Sequence, residues 1–196
     1  MLAAAILAAG ESRRMGRPKA LLPFRGTTFA EHLYAAMDHP RVGVRRIVLG
    51  AGADLIEPRL RAGAGAIMVN ERWPEGQLSS IQAAIRSLPP DATEGLILCP
   101  VDHALVTAGL VADLIAQFDA TEKLIVVPVY RGRRGHPAIF RASLYGELLS
   151  APAEIGARHV LHSRPRDVLE MPTGEEGAVL NLNDQKTLEA ALHGAI

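Results

Sequence analysis

The sequence of 196 residues predicts one α/β domain, doubly wound, with a mostly parallel sheet and helices on both faces. Short runs that are apolar throughout alternate with stretches of helical periodicity, as expected for strands buried on both faces. Apolar residues make up 48 % of the chain, which is enough for a sizeable core, while aromatic residues make up only 4 %. The core is therefore expected to consist of Ala, Val, Ile and Leu.

In the first two thirds of the chain, glycines, prolines and capping residues mark where each element begins and ends. Strands are predicted at 3–8, 47–49, 66–69, 95–99 and 124–127. Helices are predicted at 29–37, 54–60, 78–88 and 107–118. Thr27 or Thr28 is expected to cap the first of these helices, Asp54 the second and Thr107 the fourth. This alternation indicates strand–helix–strand units.

The last third of the sequence is less regular. Residues 132–137 are predicted to form a loop, and residues 168–171 an edge strand that runs antiparallel to its neighbour. Helices are predicted at 143–149, 154–162 and 184–192. We find no internal repeat and no long linker, so one domain spanning residues 1–196 is expected.

Charge and cysteine content exclude several classes of protein. Lys plus Arg and Asp plus Glu each number 21, and this balance argues against a nucleic-acid or membrane-surface partner. The single cysteine, Cys99, excludes an internal disulfide and a cysteine-based zinc site, and its apolar neighbours predict a buried thiol. The apolar segment 1–9 lacks the basic flank of a signal peptide, so a cytoplasmic location is predicted.

In open α/β sheets, ligands bind beyond the carboxyl ends of the strands. The first loop at that edge, residues 10–19, is rich in cations between Gly10 and Gly16. It fails the dinucleotide fingerprint because Ser12 stands at the second glycine, and it fails the P-loop pattern because Lys19 does not follow Gly16. Its amides and cations would still suit a triphosphate, although an ordinary turn with surface arginines remains the alternative.

The residues of this loop carry a resemblance to a known family. The spacing resembles the signature of the MobA-like nucleotidyltransferases, which attach a nucleotide to molybdopterin and related phosphates, and it reads Leu7-Ala8-Ala9-Gly10-x-Ser12-x-Arg14-Met15-Gly16-x-x-Lys19-x-Leu21-Leu22. The resemblance implies a Rossmann-type fold like that of nucleotide-diphospho-sugar transferases, with Arg14 and Lys19 as catalytic residues. It also implies that the nucleotide is bound by Leu7, Ala8, Ala9, Gly10, Ser12, Arg14, Met15, Gly16 and Lys19.

Two further matches concern a metal ion. Pro100-Val101-Asp102 resembles the P-x-D of this family, which implies that Asp102 is catalytic and holds Mg²⁺ against the nucleotide phosphates; a turn or cap residue is the alternative. The family commonly has a second metal-binding aspartate near its end, and Asn183 stands at that position here. A neutral ligand should bind Mg²⁺ weakly until a triphosphate adds its charge. His103, next to Asp102, is expected to be a structural residue. Asp184, next to Asn183, is expected to be a helix cap.

The remaining matches concern the two substrates. The segment 70–81 is similar to the part of the family that receives the base, which implies nucleotide binding by Asn70, Gly76, Ser79 and Ser80, with a plain helix cap as the alternative. The segment 131–137 is similar to a G-x-x-G-H-P loop of the cytidylyltransferase-like branch. That similarity implies that an anionic acceptor is bound by Arg133, Arg134, Gly135 and His136, with an exposed basic turn as the alternative.

The function implied is magnesium-dependent transfer of a nucleoside monophosphate to a phosphate-bearing acceptor such as molybdopterin, with release of pyrophosphate. A molybdoenzyme or its maturation chaperone is a further implied partner. The tetrad Leu7-Ala8-Ala9-Gly10 favours CTP, because Leu-Ala-Gly-Gly accompanies guanosine in the family. Three alternatives stay open: another sugar-phosphate or isoprenoid-precursor cytidylyltransferase, a dinucleotide-dependent oxidoreductase, and a non-catalytic nucleotide-binding module.

Overall fold

The computed structural model describes residues 1–12, 15–89, 92–152 and 158–192. Within these ranges the strands are β1 (Leu2–Ala8), β2 (Pro23–Phe24), β3 (Thr27–Thr28), β4 (Val42–Leu49), β5 (Ile67–Val69), β6 (Gly95–Pro100), β7 (Ile125–Tyr130), β8 (Arg133–Arg134), β9 (Ala138–Arg141) and β10 (Val168–Pro172). The α-helices are α1 (Phe29–Ala36), α2 (Ala53–Ile56), α3 (Gln77–Arg86), α4 (Ala108–Asp119), α5 (Tyr145–Ser150), α6 (Arg158–Ser163) and α7 (Gln185–Leu192).

One mixed sheet organises the chain, in the order β10-β7-β9-β6-β1-β4-β5, with β8 paired to β7 and a separate β2–β3 hairpin. Strand β1 pairs in parallel with both β4 and β6, and all of its residues are buried. Its side chains alternate between two apolar clusters, because successive residues of a strand point to opposite faces. One cluster contains residues of α1 and α4, and the other contains residues of α3 and α5. The predicted α/β class, with helices on both faces, is confirmed.

Capping explains where several helices begin. Thr28 and Glu31 form a reciprocal capping box at the start of α1, and the Thr107 hydroxyl oxygen accepts a hydrogen bond of 3.0 Å from the amide of Leu110 in α4. The cap predicted at Asp54 is wrong, because Gly52 holds the capping position of α2 in the left-handed region, with φ of 66°. A glycine can adopt that conformation without steric cost, and α2 begins without a hydrogen bond from a capping side chain.

The region around 132–141 differs from the prediction. It forms a β-hairpin rather than a loop: β8 pairs with β7, and β9 lies antiparallel between β6 and β7. Arg131 and Gly132 both have positive φ, as a two-residue hairpin turn requires. The edge strand β10 is present but runs parallel to β7, so the antiparallel direction predicted for 168–171 is wrong. The antiparallel strands of this sheet are β8 and β9.

Three smaller predictions can be checked against the described ranges. Cys99 is fully buried in β6, and burial raises the pKa of its thiol. Residues 154–157 of the helix predicted at 154–162 lie outside the described residues, and α6 covers the remainder. Among the helices of the described ranges, none combines the length and the apolar content needed to cross a bilayer.

Candidate functional site

Parallel pairing brings the loops after β1 and β6 side by side. Leu7 is the register partner of Pro100, so the segments that follow both strands leave the sheet at the same edge. Two cavities open there, of about 350 and 500 Å³, and they share the lining residues Leu7, Gln77, Pro100 and Asp102. The carboxyl edge of the sheet therefore carries two adjoining sites that meet at Asp102, as expected for ligands of an open α/β sheet.

In the loop after β1, Ser12 accepts two hydrogen bonds from backbone amides later in the loop. This residue is in the left-handed region, with φ of 54°, and its carbonyl oxygen accepts a hydrogen bond of 2.9 Å from the amide of Met15. Its hydroxyl oxygen accepts another, of 3.0 Å, from the amide of Lys19. Gly10, Ser12 and Lys19 consequently line the smaller cavity together. Arg14 lies outside the described residues, so its implied roles stay predictions.

The Lys19 ammonium connects the two residues for which metal binding was predicted. Its Nζ lies 3.3 Å from Oδ2 of Asp102 and donates a short hydrogen bond to Oδ1 of Asn183. The side chains of Lys19 and Asp102 are only 16 % and 21 % exposed. The amide of Leu182 donates a 2.8 Å bond to the carbonyl oxygen of Asp102, which ties the two loops together. The structure thus brings Asp102 and Asn183 onto one cation position.

The donor set of this position suits a hard divalent ion. A carboxylate and an amide carbonyl are oxygen ligands of the kind that Mg²⁺ and Mn²⁺ take, although two protein ligands leave most of the coordination sphere to other groups. Within the described ranges no group of three or more His, Cys, Asp and Glu side chains could hold a metal. Phosphate oxygens and water would have to complete the sphere around Asp102 and Asn183. The neighbouring Asp184 accepts a 2.8 Å bond from the amide of Thr187, so it caps α7 as predicted.

The opposite wall of the smaller cavity is built by the segment before α3. Trp73, Gly76 and Ser80 line it, and Gly76 has φ of 101°, a conformation that favours glycine. Asn70 is 5 % exposed, and its Nδ2 donates bonds of 2.8 and 3.0 Å to the hydroxyls of Ser79 and Ser80. Ser79 in turn donates to the carbonyl oxygen of Gly76 at 2.8 Å. Asn70 and Ser79 therefore brace this wall from behind and do not line the cavity.

Three further residues of the predicted nucleotide loop do not line the smaller cavity. The side chain of Ala8 belongs to the cluster beneath α1 and α4, because it alternates with Leu7 along β1. Met15 packs against the same cluster. Gly16 has φ of 65° and turns the loop. Of the residues predicted to bind nucleotide, the structure places seven on the wall of the smaller cavity: Leu7, Ala9, Gly10, Ser12, Lys19, Gly76 and Ser80.

The larger cavity combines an apolar interior with a polar rim. Its apolar lining consists of Leu7, Ile81, Leu98, Pro100, Val127, Ala138, Phe140 and Leu161. Its polar lining consists of Gln77, Asp102, His103, Arg134, His136, Asn181 and His162. Such a pocket could bury a flat organic ring and hold an anionic substituent at the rim. Sequence reasoning missed most of these residues, because positions such as Phe140 and Leu161 belong to no motif and only the fold brings them together.

Part of the segment 131–137 lines this cavity, and its backbone packs closely against neighbouring segments. The amide of Gly135 donates a 2.8 Å bond to the carbonyl oxygen of Pro128, and a Cβ at this position would overlap the carbonyl oxygen of Ala178. Arg134 lines the cavity and pairs with Glu170 at 2.7 Å, whereas Arg133 does not line it. Neighbouring side chains on a strand point to opposite sides, so β8 can present only one of its two arginines to the cavity.

His103, which was expected to be only structural, lines the larger cavity beside Asp102. It is 5 % exposed, and its ring meets that of His136 edge-on at 4.6 Å between centroids. Burial lowers the pKa of His103, and this effect outweighs the opposing influence of Asp102 and of the backbone at Gly177 and Ala178. The ring therefore favours its neutral form and packs as a wall. Its position directly after Asp102 is the one signal by which the sequence could have identified it.

Comparisons with known proteins identify the family of this chain. The family model of the MobA-like NTP transferase domain matches residues 4–168. A relative from Mycobacterium tuberculosis (strain ATCC 25618 / H37Rv), named probable molybdenum cofactor guanylyltransferase, is 31 % identical over 146 residues, which are 73 % of this chain and 69 % of that one. A relative from Paenarthrobacter nicotinovorans, named nicotine blue oxidoreductase, is 30 % identical over 188 residues, which are 87 % and 89 % of the two chains.

Solved structures show the same fold. The crystal structure of Rv0371c from Mycobacterium tuberculosis H37Rv covers 98 % of this chain and 97 % of its own, with a TM-score of 0.80 and 25 % identity. A manganese complex of Rv0371c matches with a TM-score of 0.77 and 23 % identity over 98 % of each chain. The family match over residues 4–168 and the relatives named guanylyltransferases support one assignment. The chain belongs to the MobA-like NTP transferase family and is a nucleotidyltransferase of that kind.

Proposed function

We propose that this protein transfers a nucleoside monophosphate from a nucleoside triphosphate to a phosphate-bearing acceptor such as molybdopterin, releasing pyrophosphate. The observation that supports this function most strongly is the pair of adjoining cavities that share Asp102. One cavity lies against the cation-bearing loop with Lys19, and the other lies against Arg134 and His136. A reaction that transfers a nucleotidyl group from one substrate to another needs such an arrangement, with the reacting atoms at the shared boundary.

In the proposed reaction, an oxygen of the acceptor phosphate attacks the α-phosphorus and the bond to the β-phosphate oxygen breaks. No general base is needed, since a phosphate monoester is already ionised near neutral pH. Phosphoryl transfer depends on positioning and on neutralising charge more than on covalent catalysis. Lys19 and the backbone amides beside Gly10 would bind the departing pyrophosphate, and Arg134 would hold the acceptor phosphate. Arg133, which does not line the larger cavity, is expected to add charge near the acceptor, and Arg14 is expected to add charge to the nucleotide loop.

We propose Mg²⁺ as the cofactor, held by Asp102 and Asn183. The metal would neutralise the phosphate oxygens at the α-phosphorus. Support comes from the oxygen ligands at this position and from the manganese complex solved for Rv0371c. Since one of the two protein ligands is neutral, the ion should bind well only when nucleotide phosphates complete its coordination.

We propose CTP as the preferred nucleotide, with GTP as its competitor. Ala9 lines the nucleotide cavity, where its methyl group would narrow the space for a base. Because two relatives are named guanylyltransferases, GTP is the nucleotide against which CTP should be tested. In Ala9→Gly, the ratio of kcat/KM for CTP over GTP should fall by roughly fivefold, because a single methyl group contributes about 1 kcal/mol of discrimination. An unchanged ratio would contradict a role for Ala9 in base choice.

The direct test of the function measures pyrophosphate release with CTP, GTP, UTP or ATP, Mg²⁺ and molybdopterin. Binding can be followed independently, because the single tryptophan, Trp73, lines the nucleotide cavity and its fluorescence should change when a nucleotide binds. We expect release with CTP in the presence of molybdopterin and none without it. Sugar phosphates and an isoprenoid-precursor phosphate serve as rival acceptors. Binding without release for any acceptor would instead identify a nucleotide-binding module.

A second candidate function rests on one relative. The chain is 30 % identical to a protein named nicotine blue oxidoreductase, and the larger cavity could hold a flat organic substrate. Against this candidate, Ser12 stands where the dinucleotide fingerprint has its second glycine. Oxidation of NADH or NADPH by the purified protein with a quinone-like acceptor separates the two functions. Turnover of the reduced nucleotide without pyrophosphate chemistry would favour the oxidoreductase.

A further inference from the structure

Lys19 lies where the metal ion of the proposed reaction would lie. Its Nζ contacts Oδ2 of Asp102 at 3.3 Å and donates to Oδ1 of Asn183, so one ammonium engages both oxygen ligands. These are the two side chains proposed to hold the ion. A lysine ammonium and a divalent cation prefer the same hard oxygen atoms, and two cations repel each other at this range. The ammonium and the metal therefore cannot occupy this position together.

The attachment of Lys19 allows its side chain to move alone. The main-chain amide of Lys19 is held by the hydroxyl of Ser12 at 3.0 Å, and residues Lys19–Leu21 form a single 3-10 turn. Four rotatable bonds separate this anchored backbone from the ammonium, which makes lysine a mobile point charge. Lys19 also lines the nucleotide cavity. The ammonium can thus leave Asp102 for a phosphate in that cavity without unfolding the loop.

We propose that Lys19 keeps the metal position closed in the nucleotide-free protein and opens it when a triphosphate draws the ammonium away. Metal and nucleotide then bind as a pair, and neither binds tightly alone. The closed state is independent of the proposed function, whereas the opening step rests on nucleotide binding. Asp102 has a cation beside it in both states: Lys19 offsets its charge before binding, and afterwards the metal offsets Asp102 and part of the phosphate charge while Lys19 offsets another part.

The test titrates Mn²⁺ into the nucleotide-free protein and follows free Mn²⁺ by electron paramagnetic resonance. Lys19→Met removes the ammonium but keeps a side chain of similar length, and we expect it to tighten Mn²⁺ binding by roughly tenfold. Lys19→Arg keeps the charge and should leave Mn²⁺ binding as weak as in the wild type. Lys123→Met is the matched control, because this exposed lysine lies beside the amino end of β7 at the opposite edge of the sheet.

Adding a non-hydrolysable CTP analogue should reverse the order of the variants. Wild type should now bind Mn²⁺ more tightly than Lys19→Met, because the variant lacks the cation that holds the polyphosphate. If Lys19→Met binds Mn²⁺ no better than wild type without nucleotide, while its circular dichroism shows a folded protein, the proposal is wrong. A second variant guards this conclusion: in Lys19→Met, adding Asn183→Ala should abolish the gain in Mn²⁺ affinity.

The outcomes also separate this proposal from the proposed function. A gain in Mn²⁺ affinity for Lys19→Met, together with no response to any nucleoside triphosphate, would uphold the closed metal position and contradict nucleotidyl transfer. Nucleotide binding with no gain in Mn²⁺ affinity would do the opposite. Tight Mn²⁺ binding by the wild type without nucleotide would overturn the proposal directly.

Discussion

The two edges of the sheet each carry a charged cluster, and the clusters are built differently. At the amino edge, Arg41 pairs with Glu94 at 2.8 Å and with Asp119 at 2.7 Å, and the three side chains are 33 %, 52 % and 41 % exposed. At the carboxyl edge, Lys19 pairs with Asp102 at 3.3 Å in a more buried setting, with side chains 16 % and 21 % exposed. One cluster faces solvent, and the other forms the boundary between two cavities.

The difference indicates which cluster serves the fold and which serves a ligand. The guanidinium of Arg41 forks to two carboxylates and connects the segments before β4 and β6 with the end of α4, so its donors find partners within the protein. The flexible side chain of Lys19 instead places its ammonium against one carboxylate and one neutral amide, and Lys19 lines the smaller cavity. Removing charge at the carboxyl edge should therefore affect activity, and removing it at the amino edge should affect stability.

The largest effect is expected for Asp102→Asn, which keeps the shape of the side chain and removes its charge. The rate of pyrophosphate release should fall on the order of 100- to 1,000-fold, as when other groups that stabilise transition-state charge are removed. The free energy of unfolding should change by less than about 1 kcal/mol, because Asp102 makes a partly exposed ion pair. Kinetics and urea denaturation measure the two quantities. A large loss of stability with intact activity would invert the comparison of the two edges.

Gly135→Ala should affect the acceptor side without touching the nucleotide side. The added Cβ would overlap the carbonyl oxygen of Ala178, so the loop must shift, at a cost of about 1–3 kcal/mol in the free energy of unfolding. We expect KM for the acceptor to rise while nucleotide affinity, followed through Trp73 fluorescence, is unchanged. Gly146→Ala is the matched control, since a Cβ at that helical position meets nothing within 4 Å. An equal rise in nucleotide Kd would contradict two separable cavities.

Much of the fold was predictable because burial on both faces leaves a signature in the sequence. Strands β1 and β6 are apolar at almost every position, and each was predicted to within one residue at either end. Strand β9 was missed, because its four residues are too few for a clear periodicity and its place between β6 and β7 depends on tertiary pairing. The direction of β10 was mispredicted for the same reason, since no local pattern records which way a strand runs.

The candidate site was predictable where a motif coincides with a strand end. Asp102 and Asn183 were predicted to share a cation, and the structure brings both onto Lys19. The sequence could not show that the Lys19 ammonium contacts both side chains, because only the fold brings these three residues together. Nor could it show that Asn70 faces inward: a polar side chain at a strand end can line a cavity or brace its wall. Only the burial of Asn70, at 5 % exposed, decides between the two.

The smallest effect is expected at the amino edge, for Glu94→Gln. The side chain is more than half exposed, so the free energy of unfolding at neutral pH should fall by less than about 1 kcal/mol, with no change in pyrophosphate release. Added salt should shrink the difference further, because screening weakens exposed ion pairs. A matched loss of activity would show that the two edges are coupled, which the comparison of their clusters does not predict.

The pH dependence of Glu94→Gln identifies the origin of that small effect. Hydrogen bonds from Arg41, and then from the amino terminus, lower the pKa of Glu94 from 4.5 to about 2 in the folded protein. A carboxyl with a depressed pKa in the folded state stabilises it above its unfolded pKa, and this contribution is lost as the pH falls. The stability difference between wild type and Glu94→Gln should therefore be full at pH 6 and vanish between pH 4.5 and 2. A difference that persists at pH 2 would assign the effect to packing rather than to charge.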